Sequence, residues 1–178
     1  MEMKVYYGQI ELSETHKISD IDASVYIKNA WRDIDGRKQL IFLDYQEKGF
    51  PSEIEIHKKA LETTIHHRGF AIGAFNEDGL LIGFASMNRE VFGQSAQYVL
   101  VDQLFVSKEY RHQGLGNKLM KLCVDEAKRW RVDKLYICAG SSEDTIAFYK
   151  SFGCTEAKEI NQNLYARDPR DFQLEYVL

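Results

Sequence analysis

The sequence predicts an α/β fold, a single domain on a mixed, twisted sheet of about six to seven strands flanked by about four helices. Three observations predict it. Seven strand-like and four helix-like segments can be laid along the chain. One of them, from Tyr98 to Ala139, is a strand–loop–helix–strand unit whose two strands run parallel. The length and composition, 178 residues with 44% hydrophobic and 28% charged, suit one soluble domain. Pro51 and Pro169 are the only prolines. With no Gly/Ser-rich run and no repeat, residues 1–178 read as one domain without a linker.

The elements follow in order. Lys4–Leu12 reads as a first strand. Ser19 or Asp20 caps an expected helix to about Arg32, with Ile21, Val25 and Ala30 or Trp31 as its apolar stripe. An irregular stretch, Asp33–Gly49, comes next. Pro51 opens a second helix to about His67, acidic in its first turn and basic in its last, as the helix dipole favours. Phe70–Phe75 and Leu80–Asn88 flank the turn Asn76-Glu77-Asp78-Gly79 and form a hairpin. Gln97–Val106 is the most β-prone stretch. A polar, glycine-bearing loop leads to a helix with Leu115, Leu119, Leu122, Cys123, Ala127 and Trp130 at 3.6-residue spacing. Leu135–Ala139 is a buried strand, Ser142–Phe152 a short helix ended by Gly153, and Thr155–Ile160 and Phe172–Val177 are the last strands.

Charge and cysteine usage exclude several functions. Lys and Arg number 23 against 27 Asp and Glu, a net charge of −4, so neither nucleic acid nor an anionic membrane is an expected partner. No apolar run approaches a membrane span, and Met1-Glu2-Met3-Lys4 lacks a signal-peptide profile. Cys123, Cys138 and Cys154 are odd in number and form no C-x-x-C pair, which fits a reducing, cytoplasmic setting. His16, His57, His66, His67 and His112 show no metal-ligand spacing, so no metal is expected.

The chemistry concentrates in the window from Val101 to Asn117. A strand runs into a short loop that ends as Arg111-x-x-Gly114-x-Gly116 at a helix N-terminus. Free N–H groups of a first helical turn, the helix dipole and closely approachable glycines together make an anion cradle. The alternative is that Gly114 and Gly116 only make a tight turn. Other phosphate loops fit poorly. There is no G-x-x-x-x-G-K-[ST], and Leu119 stands where a dinucleotide fingerprint needs its third glycine.

The window resembles the signature of the GNAT N-acetyltransferase superfamily, whose acetyl-CoA loop, Gln/Arg-x-x-Gly-x-Gly/Ala, follows a "Leu-x-Val" strand, here Leu104-Phe105-Val106. A second element, Thr145 to Gly153, is similar to the family's "A-x-x-F-Y-x-x-x-G-F" helix. Ser142 stands where the family often has Asn, Cys154 where an aromatic is common, and His112 where glycine is frequent. The resemblance implies a single GNAT-type domain and acetyl-CoA as cosubstrate. The pantetheine would pair with backbone groups of Leu104 and Val106, and the pyrophosphate would sit on amides of Gln113, Gly114, Leu115, Gly116 and Asn117. Arg111 or His112 would add charge, and Ser142 would cap its helix or reach the cofactor. A backbone N–H near Leu104–Phe105 would polarise the thioester carbonyl. Tyr149 would protonate the leaving thiolate, its alternative being an ordinary interfacial tyrosine.

Direct transfer also requires a neutral amine. Asp102 is the foremost candidate base, expected by strand alternation to share a face with Leu104 and Val106, with Gln103 opposite. A structural hydrogen bond at a strand irregularity is its other reading. Glu90, Glu109, the histidines of the second predicted helix and a water chain are the remaining candidates. Tyr26, Trp31, Phe42, Tyr45 and Phe50, with Asp33, Asp35 and Glu47, either line an acceptor pocket or belong to core and surface. The expected acceptor is the primary amine of a small molecule, and a homodimer is left open. The rival functions are protein lysine or N-terminal acetylation, a non-catalytic acyl-CoA sensor, and a longer-chain or aminoacyl transferase.

Overall fold

Strand β1 (Tyr6–Gln9) opens the computed structural model, which describes residues 4–178. Met1–Met3, on which the leader expectation partly rests, lie outside the described residues. A 3-10 segment, Leu12–Asp20, precedes two long strands, β2 (Val25–Ile34) and β3 (Arg37–Glu47). Helix α1 (Ile54–His66) and strands β4 (Phe70–Phe75), β5 (Leu81–Met87) and β6 (Tyr98–Val106) follow. The chain ends with helix α2 (Leu115–Arg129), β7 (Lys134–Ala139), α3 (Glu143–Phe152), β8 (Thr155–Glu156), α4 (Gln162–Tyr165) and β9 (Phe172–Val177).

Seven strands form one mixed sheet in the order β1-β4-β5-β6-β7-β9-β8, and β2 and β3 form a separate two-stranded ribbon. Among the described residues only β6 and β7 pair parallel, as a strand–helix–strand crossover requires. On one face α2 buries Leu115, Leu119, Met120, Cys123, Val124 and Ala127 against the sheet, the stripe its spacing predicts. On the opposite face α1 and the 3-10 segment close a smaller core around Leu61, Ile18, Leu81 and Phe84. Burial pushes the Cys123 and Cys154 thiols up to about 12 and the Cys138 thiol up to about 11, so all three free cysteines stay protonated. No helix among the described residues is long and apolar enough to cross a membrane, and no metal-holding cluster occurs among them.

The structure corrects the reading of residues 19–49. The expected helix to Arg32 and the irregular stretch after it are the β2–β3 hairpin. Ile34 pairs with Arg37, and both connecting residues, Asp35 (φ 52°) and Gly36 (φ 75°), are left-handed, as a two-residue type I′ turn demands. Asp-Gly was the overlooked signal. Val25, Tyr26, Ile27 and Trp31 are β-branched or aromatic residues, which a pleated surface accommodates better than a helix does. Two smaller differences occur near the C-terminus. β8 is two residues long because only Thr155 and Glu156 pair with β9, and α4, capped by Asn161, lies in a segment for which the sequence predicts no element.

The hairpin is pinned to the junction between β7 and α3. Trp31 N–H donates to Ser141 O (2.8 Å), Arg32 Nη1 to Ser141 Oγ (2.7 Å) and Asn29 Nδ2 to Glu143 Oε2 (2.8 Å). Lys38 Nζ lies 4.4 Å from the centre of the Phe172 ring, at the start of β9.

Candidate functional site

The sheet opens at its centre. β6 pairs with β7 only from Tyr98 to Val101 and then continues to Val106 with β5 as its sole neighbour. Ser107 N–H donates to Ile82 O (2.8 Å), which sets the phase of the ladder. By antiparallel alternation, Leu104 and Val106 therefore turn their backbone polar groups to the unpaired edge. Their side chains pack into the core beneath α2.

That edge leads into the loop before α2. His112 (φ 60°) and Gly114 (φ 85°) are both left-handed, so the histidine holds a conformation that glycine adopts without strain. A Cβ on Gly114 would meet nothing within 4 Å, leaving its approach open. Lys118 N–H, bonded to Gly114 O at 3.0 Å, is the first donor satisfied by the helix, so the amides of Leu115, Gly116 and Asn117 are its free first-turn donors. No side chain caps this end and no acidic residue stands in its first turn, which leaves the positive end of the dipole uncompensated.

Arg111 occupies a different place from the one expected. Each of its nitrogens donates to a backbone carbonyl: Nε to Val106 (2.9 Å), Nη1 to Ser24 (2.7 Å) and Nη2 to Asp22 (3.4 Å). Ser107 Oγ accepts from Asp22 N–H (2.9 Å), and Lys108 N–H donates to Asp22 O (2.8 Å). The guanidinium thus stitches the loop to the segment leading into the hairpin.

Helix α3 joins the second motif to the first. Phe148 lies so close to Gly116 that a Cβ there would be 3.1 Å from its ring, so Gly116 serves packing as well as approach. The next residue, Tyr149, is 7% exposed and belongs to the same core as Leu104 and Val106. Its hydroxyl makes no hydrogen bond among the described residues, yet it is not sealed in as Ser86 Oγ is. Burial pushes its phenol well above the ordinary tyrosine range, with the nearby cysteines acting in the same direction, so the proton stays on. Ser142 caps α3, accepting from Thr145 N–H (3.3 Å) and donating to Thr145 Oγ1 (2.8 Å).

Asp102 does not share the face of Leu104 and Val106. The register shifts between Ser86 and Met87, which pair with Gln103 and Val101, so Asp102 is the extra residue of a β-bulge. It turns to the α1 side, as does Gln103, and there lines a cavity of about 160 Å³ with Leu100, Cys138, Leu164, Arg167 and Asp171. Burial raises the Asp102 carboxyl, while Arg167 and His57 pull it down. Burial, reinforced by Asp168, lifts Asp171 to about 6. Arg167 and Asp171 escaped sequence reasoning because no motif marks them; only folding of the α4–β9 segment over β7 brings them in.

The chain matches the family model described as the acetyltransferase (GNAT) family over residues 36–154. No curated protein matches it in sequence. Among solved structures, nourseothricin acetyltransferase aligns with a TM-score of 0.73 at 18% identity, over 97% of this chain and 98% of that one. PaiA N-acetyltransferase from Thermoplasma acidophilum, in complex with coenzyme A, aligns with a TM-score of 0.62 at 17% identity, over 99% and 100%. A GNAT family acetyltransferase from Elizabethkingia anophelis with acetyl-CoA bound gives 0.54 at 18% identity, over 72% and 85%. At such identities the structures establish a shared fold, and the family model covers the open edge of β6, the loop before α2 and helix α3. The chain belongs to the GNAT family of acetyltransferases.

Proposed function

We propose that the protein transfers an acetyl group from acetyl-CoA directly to the primary amine of a small molecule. One observation carries this reading. The edge of β6 at Leu104–Val106, which lacks a strand partner although Val106 O accepts from Arg111 Nε, runs straight into an uncapped helix N-terminus, beside a buried tyrosine whose hydroxyl has no partner among the described residues. An edge of this kind accepts an extended amide-bearing chain as an added strand, and the free amides of Leu115, Gly116 and Asn117 suit a pyrophosphate. Arg111 serves this site by holding the loop in shape.

The chemistry follows from these residues. Asp102, in the cavity on the α1 side, takes a proton from the acceptor's ammonium. The neutral nitrogen attacks the thioester carbonyl, whose oxygen is stabilised by a backbone N–H of the free β6 edge near Leu104. As the C–S bond breaks, Tyr149 donates its O–H to the departing sulfur, and the proton that the nitrogen sheds on becoming the amide restores the phenol. A cavity of about 160 Å³ bearing Asp102 and Asp171 favours a small cationic amine over a peptide. Titration calorimetry with acetyl-CoA, followed by thiol release across a panel of amines, tests the reading. Absence of cofactor binding at millimolar concentration overturns it.

A further inference from the structure

The cavity beside Asp102 is lined by three ionisable side chains that do not satisfy one another. Asp102 comes from the bulge of β6, and Arg167 and Asp171 come from the segment between α4 and β9. The backbone N–H of Arg167 donates to Leu164 O (3.1 Å), yet its guanidinium has no hydrogen bond or ion pair among the described residues. Arg170 nearby is different, being locked onto Asp168 through Nε (3.1 Å) and Nη2 (3.0 Å). Neither the Asp102 nor the Asp171 carboxylate accepts a hydrogen bond among the described residues. A guanidinium and a carboxylate lining one cleft gain by closing on each other as a forked pair; here they stay beyond ion-pair distance. Asp171 is also unfavourable to the fold, since burial and Asp168 raise its carboxyl to about 6. Unspent charges of both signs in a cleft mark a binding site more than a packing one.

We propose that the acetyl acceptor is a diamino carboxylic acid, with one ammonium at Asp102, the second at Asp171 and its carboxylate on the guanidinium of Arg167. The assignment rests on the acetyltransferase reading above. The amine at Asp102 is the one that loses its proton and is acetylated. Two negative charges and one positive line the cavity, the inverse of such a molecule. A plain diamine would set a cation against Arg167, and a monoamino acid would leave one carboxylate unpaired. The planar donors of Arg167 match a carboxylate in a way an ammonium does not. The dimensions agree. β6, β7 and β9 are successive neighbours in the sheet, so from Asp102 past Cys138 to the start of β9 is roughly 10 Å at about 4.8 Å per strand. The cavity, about 160 Å³, is small beside the roughly 300–1,000 Å³ of sites for drug-sized ligands. Its occupant is therefore short, with charges several bonds apart, and Leu100 and Leu164 wall the methylenes between them.

The test measures kcat and KM with ornithine, with putrescine, which lacks the carboxylate, and with norvaline and δ-aminovalerate, which each lack one amine. Wild type should favour ornithine over each of the others by about ten-fold or more in kcat/KM. R167M should lower the ornithine-to-putrescine ratio of kcat/KM by about ten- to a hundred-fold, the weight of bonds to a charged partner. Setting that ratio against the wild-type one cancels the unequal basicity of the two amines. D171N should raise KM for ornithine about ten-fold, more than it lowers kcat. Because that substitution removes an unfavourable buried charge, the rise cannot be put down to a weakened fold. An R167M ratio equal to the wild-type one, or an unmoved KM in D171N, overturns the assignment and leaves the acetyltransferase reading standing. So does a wild type that acetylates putrescine or a monoamino acid as efficiently as ornithine. Should R167M fail to fold, the D171N measurement decides alone. A wild type that releases no thiol with any amine overturns the acetyltransferase reading itself, and the assignment with it.

Discussion

Replacing Arg111 by Met keeps most of the apolar stem and removes every donor. Two bonds are short, to Val106 O (2.9 Å) and Ser24 O (2.7 Å), and the third, to Asp22 O (3.4 Å), is too long to count for much. Bonds from a charged donor contribute about 1.5–3 kcal/mol each. Because the guanidinium is half-buried, the lower end applies and the loss is about 3 kcal/mol. For a chain of this length that lowers Tm by roughly 6–12 °C. R111K, whose ammonium reaches one carbonyl at a time, should recover about half. Thermal unfolding by circular dichroism measures the first quantity, and calorimetry with CoA measures the accompanying affinity. If R111M melts within about 2 °C of wild type while CoA affinity collapses, the guanidinium is a phosphate ligand and the clamp is refuted.

Three further outcomes follow from the same geometry. Y149F should reduce kcat by about ten- to a hundred-fold with CoA affinity unchanged; a parallel loss of affinity in calorimetry would show that the hydroxyl serves packing. G116A drives a Cβ to 3.1 Å from the Phe148 ring, so the ring and its neighbour Tyr149 must shift. Steady-state kinetics should show a fall in kcat together with about 1 kcal/mol lost from stability; wild-type kcat would mean that Phe148 yields freely. Asp171, lifted to about 6 from 3.8, favours the fold while protonated, a contribution complete below its ordinary value and lost as pH rises through 6. D171N should therefore gain stability over wild type between pH 5 and pH 8, by roughly 1–2 kcal/mol, and equal denaturation midpoints at both pH values would contradict this.

What the sequence made legible is local. The α2 stripe, the Asn76–Gly79 turn and the loop ending at Gly116 each declare themselves within a dozen residues, and the structure realises all three. The hairpin was misread because Ile21 and Val25 fall four residues apart, a helical spacing that Ala30 does not continue, whereas the decisive signal was two residues, Asp35-Gly36. The face of Asp102 was misread because a bulge is a count of residues between two strands, and one strand alone does not show it. The sequence offers Arg111 or His112 as the charge beside a pyrophosphate, and does not show the role Arg111 takes, because its partners Ser24 and Asp22 lie 87 and 89 residues away. Short-range periodicity thus gave the scaffold, while the orientation of the site depended on pairings the chain makes across its whole length.

The β2–β3 ribbon bears on how this protein can change over generations. Among the described residues β3 has no strand partner but β2, and Leu40, Phe42 and Tyr45 are exposed. Substitutions at such positions usually alter stability by no more than about 0.5 kcal/mol. The ribbon nevertheless hangs from Ser141 and Glu143, at the junction between β7 and α3. Substitutions on its outer strand can therefore accumulate almost without eroding the core beneath α2. Variation among close homologues should accumulate on β3 and stay sparse along α2.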